Sequence, residues 1–178
     1  RALALRWSLI GLDGRRHLLN AAVFGVTLDG GISSVLLNLY VLRLGFGPQF
    51  VGLMSSISMF VFALSSLPGG RLGERFGLRR VMLAGIVLCA LGALATPLAE
   101  FLPVAARPVA LILAVALINL GLGFYYSNGA PWLMATTAPS QRASAFSIQS
   151  ALFAVAGFAG SLLGGNLPNW IAALTGQT

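Results

Sequence analysis

Five long apolar runs, each closed by glycine, proline or arginine, set the rhythm of the chain. They cover roughly residues 18–42, 50–67, 81–98, 109–134 and 143–163. Each is about long enough to cross the ~30 Å hydrocarbon core of a bilayer as a helix. The polar positions within them recur at helical steps. Ala22, Gly25, Asp29 and Ser33 share one face of the first run, while Val23, Leu28, Ile32, Val35 and Leu39 occupy the others. Gly45-Phe46-Gly47-Pro48 ends that run. In the second, Ser55, Ser58, Ser65 and Ser66 are placed to bond their own helix or a neighbouring one, and Pro68-Gly69-Gly70 closes it. Gly85, Cys89 and Gly92 give the third a slim face for close packing. The stretch 100–108, with Pro103 and Pro108, reads as an outer loop. The fourth run starts as plain Val, Ala, Leu and Ile and turns polar from Asn119 onward, with Pro131 near its exit. After an inner loop over 136–142, the fifth ends at Gly164-Gly165-Asn166-Leu167-Pro168.

Composition sharpens this into a class. Of 178 residues, 57% are hydrophobic and 8% charged, against roughly 25% charged in soluble domains. The expected fold is an all-α polytopic transmembrane bundle over 18–178. It follows a cytoplasmic lead-in, 1–17, that is either disordered or a short interfacial helix. The first residue is Arg and the chain trails off after five spans, so a fragment stopping before a sixth span is expected.

The chain carries eleven arginines and no lysine, against four acids. They punctuate apolar runs rather than cluster with aromatics, which argues against a nucleic-acid partner. Placing the N-terminus inside puts nine arginines on the inner side and leaves only Arg43 and Arg107 outside. Inner loops favour arginine, so a cytoplasmic N-terminus and a cell inner membrane are expected. One cysteine, one histidine and the lack of a phosphate-binding loop speak against an enzyme, a metal site or a cofactor.

The densest island of charge is Gly70-Arg71-Leu72-Gly73-Glu74-Arg75-Phe76-Gly77-Leu78-Arg79-Arg80. Too short to form a domain, it must be a tight polar connection at a lipid surface. Gly70, Leu72, Gly73, Glu74, Arg75, Gly77, Arg79 and Arg80 resemble the loop between the second and third transmembrane helices of the major facilitator superfamily. Glu74 stands where that family usually has Asp, and Leu78 where a basic residue is common. The resemblance implies the N-terminal half of a secondary active transporter working by alternating access, its C-terminal half being the partner. It also implies that Glu74 and Arg75 act in a cytoplasmic gate, with Gly70 and Gly77 shaping the turn. The plainer alternative is that Arg71, Arg79 and Arg80 fix topology and touch anionic lipid.

Candidate chemistry is sparse. Asp29 is the one acid deep inside an expected span, where insertion costs about 2.5–3.5 kcal/mol, so it avoids lipid. It reads either as a site for a proton, cation or substrate amine, or as a structural carboxylate at an interhelical contact. Asn119, Gly123 and Tyr126 share a face of the fourth span. Asn119 and Tyr126 suit a small organic substrate equally with a stabilising interhelical bond. Asn38, Asn128 and Gln149 read as near-interface packing or caps. Gly157 and Gly160-Ser161-Leu162-Leu163-Gly164-Gly165 resemble a degenerate fifth-helix Gly-Pro-x-x-Gly-Gly motif of drug–proton antiporters. Ser161 replaces the proline, and Leu117 stands where those antiporters have an arginine. The simpler reading is a packing face of Gly157, Gly160 and Gly164. A membrane receptor or assembly subunit without transport activity is the alternative function.

Overall fold

The computed structural model describes residues 14, 18–20, 22, 23, 27 and 31–175. Every regular element among them is helical. They are α1 (Ile32–Arg43), α2 (Pro48–Phe76), α3 (Leu78–Leu98), α4 (Arg107–Ala135) and α5 (Arg142–Thr175). Short 3-10 turns, Ala99–Phe101 and Pro139–Gln141, follow α3 and precede α5. Four segments, Pro48–Phe76, Leu78–Phe101, Arg107–Ala135 and Pro139–Pro168, are long and apolar enough to cross a membrane, and α1 is a shorter apolar helix. The lead-in expected over 1–17, apart from Gly14, lies outside the described residues.

Polar side chains in these helices mostly satisfy themselves on their own backbone. Ser55, Ser56 and Ser58 donate to the carbonyls of Val51, Gly52 and Met54, and Thr96 and Ser147 to those of Gly92 and Ala143. A hydroxyl bonded to the carbonyl a turn earlier presents little unmet polarity to lipid.

Two helices outlast the apolar runs that announce them. α2 passes through Pro68-Gly69-Gly70 and ends at Phe76, and α5 passes through Gly164-Gly165 and Pro168. Each proline removes one backbone bond, but an unwound segment in hydrocarbon would lose several, so the helix continues. The eleven-residue polar connection is thus almost wholly helical. Its break is a single residue, Gly77, at φ 96° and ψ 131°.

By packing, the chain divides into two compact units, Arg1–Arg43 with Leu133–Thr178, and Leu44–Trp132. In the first, α1 lies on α5, and Leu18, Leu133 and Ala145 form a buried cluster joined by Phe146, Ile148 and Leu152. In the second, α4 meets both α2 and α3 through glycines. A β-carbon on Gly85 of α3 would fall 2.6 Å from the Gly121 carbonyl oxygen of α4. One on Gly92 would fall 2.7 Å from the Ala114 oxygen. Between them, Cys89 Sγ donates to the Ile118 carbonyl at 3.3 Å. Helix backbones this close need residues without side chains at the crossing.

Candidate functional site

The C-terminal end of α2 has two faces. Gly69 and Gly73, one turn apart, are buried, whereas Arg71, Glu74 and Arg75 on the opposite side are exposed. Arg79 and Arg80, opening α3, are exposed as well. Leu72 is half-buried, and a β-carbon on Gly70 would meet nothing within 4 Å. The guanidinium of Arg75 lies over the Phe76 ring, 5.2 Å from its centroid, a cation–π contact that tethers it near the turn. The Gly77 amide donates to the Gly73 carbonyl at 2.9 Å, and the Gly77 carbonyl accepts from the amides of Arg80 and Val81. One glycine with positive φ therefore closes α2 and opens α3, a conformation that side chains resist. Four guanidinium groups and one carboxylate project from this turn, an arrangement suited to carboxylates, phosphates or helix C-termini.

On α4, Asn119 and Tyr126 are half-buried and flank Gly123. A β-carbon on Gly123 would collide with the Ser65 hydroxyl of α2. Asn119 donates to the Val115 carbonyl at 2.9 Å, within its own helix. Tyr126 meets Phe62 edge-on at 6.0 Å and Tyr125 at 5.6 Å between centroids. The face offers an amide, a phenol and aromatic edges but no formal charge. Asp29 lies outside the described residues.

The fifth-helix glycines differ among themselves. Gly164 is buried against α1, where a β-carbon would lie 3.0 Å from Ile32 Cα and 3.4 Å from Val35 Cβ. Gly160 is also buried, whereas a β-carbon on Gly157 would meet nothing within 4 Å. Among the described residues no group of three or more His, Cys, Asp or Glu could hold a metal ion.

Sequence reasoning undervalued Asn128. It is fully buried, and its Nδ2 donates to the Gly69 carbonyl of α2 at 2.9 Å and to the Phe124 carbonyl of its own helix at 2.8 Å. The signal was the pair Gly69 and Gly73, whose bare backbone can admit a polar side chain from a neighbouring helix.

Comparison with known proteins decides the family. Residues 19–176 match the sequence profile of the Major Facilitator Superfamily. The chain belongs to that superfamily. It is therefore an all-α, multi-pass membrane protein of a transporter family, as the arginine-rich turn and the apolar helices indicated. A relative, "Probable anion transporter 3, chloroplastic" of Arabidopsis thaliana, is 31% identical over 121 residues. That stretch is 68% of this chain but only 23% of the relative's length. No solved structure matches the chain significantly.

Proposed function

We propose that this chain supplies most of the N-terminal six-helix half of a secondary active transporter, which moves a small solute by alternating access. The observation that carries the reading is the α2–α3 turn. It joins a superfamily match over residues 19–176 to a one-glycine break at Gly77 edged by exposed Arg71, Glu74, Arg75, Arg79 and Arg80. Glu74 and the arginines act as a cytoplasmic gate, engaging the C-terminal half when the inner side is closed. Arginine placement supports a cytoplasmic N-terminus and a cell inner membrane. Asn119 and Tyr126 line the midplane site, and Asp29 carries the coupling proton.

The substrate is a small solute. The printed name of the Arabidopsis relative makes inorganic and organic anions the first class to try. The full-length protein, purified and reconstituted in liposomes, should take up at least one member of such a panel saturably. An imposed proton gradient should alter the rate. A complete reading frame carrying a large soluble domain instead of a second set of apolar spans would favour a receptor. Failure of a folded, full-length protein to exchange any solute tried would count against a carrier.

A further inference from the structure

The side chain of Asn128 sits in a socket that fits an amide and little else. It is 0% exposed, and its Nδ2 is shared between the carbonyls of Gly69 and Phe124, with Ser127 Oγ at 3.2 Å. Its Oδ1 has no hydrogen-bond partner among the described residues and is aimed at Gly73, where a β-carbon would overlap it. That leaves a Cα–H of Gly73 as its neighbour, a weak donor. Leu78 Cδ2 closes the same notch, 3.1 Å from where the β-carbon would stand. A leucine at 128 would be the cheaper side chain to bury. The amide adds a directional grip on one particular turn of α2.

The position of that turn matters. Pro68, just before it, lacks the amide hydrogen that would bond the Leu64 carbonyl, so α2 has a weak point there. Gly77, just after it, is the only non-helical residue before α3. Residues 69–76 are thus a short helical lever between a proline and a glycine, and Asn128 grips both buried glycines of the lever. We infer that Asn128 is a positioning residue that binds the inner end of α2 to α4. The arginine-rich turn is then carried by α4 as one rigid piece and does not swing about Pro68. The consequence for transport rests on the carrier reading above; the mechanical coupling does not.

The test uses the full-length protein in lipid, with Cys89→Ala as background and spin labels at Phe76→Cys and at the exposed Ala130→Cys of α4. The unaltered socket should give one narrow distance. Asn128→Leu and Gly73→Ala, which respectively remove the amide and push it out of its notch, should each broaden the distribution or add a second population. In single-cysteine variants, either should also shift the ratio of maleimide labelling at Phe76→Cys, on the inner side, to that at the exposed Phe101→Cys, on the outer side, roughly three- to tenfold, the range that one interhelical hydrogen bond in a membrane allows. Gly73→Ala retains Asn128, so it keeps the test alive if Asn128→Leu fails to insert. Lowered thermal stability with an unchanged distance and labelling ratio would reduce Asn128 to ordinary packing and overturn the inference. Lack of solute movement by the unsubstituted protein would count against the carrier reading and leave the distance result standing.

Discussion

Replacing Gly85 by alanine tests the packing of the α3–α4 seam most sharply. The new β-carbon would lie 2.6 Å from the Gly121 carbonyl oxygen, 3.1 Å from the Tyr125 nitrogen and 3.3 Å from Phe124 Cβ. Two of these neighbours are backbone, so no side-chain rotation relieves the contact. The helices must part locally by the better part of an ångström, which forfeits about a quarter to a half of each dispersion contact along the seam. Overpacking of this kind costs about 1–3 kcal/mol. Alanine returns at most about 1 kcal/mol through its better helix propensity. The net expectation is a loss of about 1–2 kcal/mol, read as a fall in Tm of roughly 2–8 °C for a chain of this size. Thermal unfolding in detergent, followed by tryptophan fluorescence, measures it. Gly52→Ala and Gly165→Ala are the controls, because a β-carbon at either would meet nothing within 4 Å. Both should match or exceed the parent in Tm. A Gly85→Ala protein as stable as these controls would refute the close approach of α3 and α4.

Three further outcomes follow from single features. Gly77→Ala places a β-carbon at φ 96° and should cost about 1–3 kcal/mol, with a matching fall in Tm and easier proteolysis between α2 and α3. Arg107→Ala should loosen the connection between α3 and α4, since Nε and Nη2 now donate to the carbonyls of Leu102 and Glu100 at 3.1 Å each. Faster hydrogen exchange confined to residues 99–107 would be the readout. Asp29→Asn should abolish transport or uncouple it from the proton gradient while leaving membrane insertion intact. Normal, gradient-dependent uptake across a range of pH would remove Asp29 from the coupling mechanism.

What the sequence made legible is what lipid dictates. Apolar runs of spanning length, closed by arginine and glycine, announce helices because no other open-ended backbone is satisfied in hydrocarbon. The arginine turn announced the superfamily through its residue types and spacing. Helix ends were less legible. Pro68-Gly69-Gly70 reads as a stop by rules learned in water, where an unwound backbone finds other partners, whereas in α2 the helix runs on to Phe76. Asn119 and Asn128 look alike as letters in one helix. Only the register of α4 against α2 separates them, turning Asn119 onto its own backbone and Asn128 onto Gly69. Gly157 and Gly164 look equally alike, yet only Gly164 has Ile32 beside it. Such differences depend on which helices meet, and periodicity within one helix carries no record of that.

The placement of the α2–α3 turn bears most directly on the reading of this chain as a carrier half with its gate inside. The decisive measurement is side-specific labelling of Arg79→Cys, in a Cys89→Ala background, with a membrane-impermeant maleimide. The full-length protein in inside-out vesicles should react readily, and in right-side-out vesicles it should be protected. The reverse pattern would put the arginines outside and contradict both the orientation and the cytoplasmic gate.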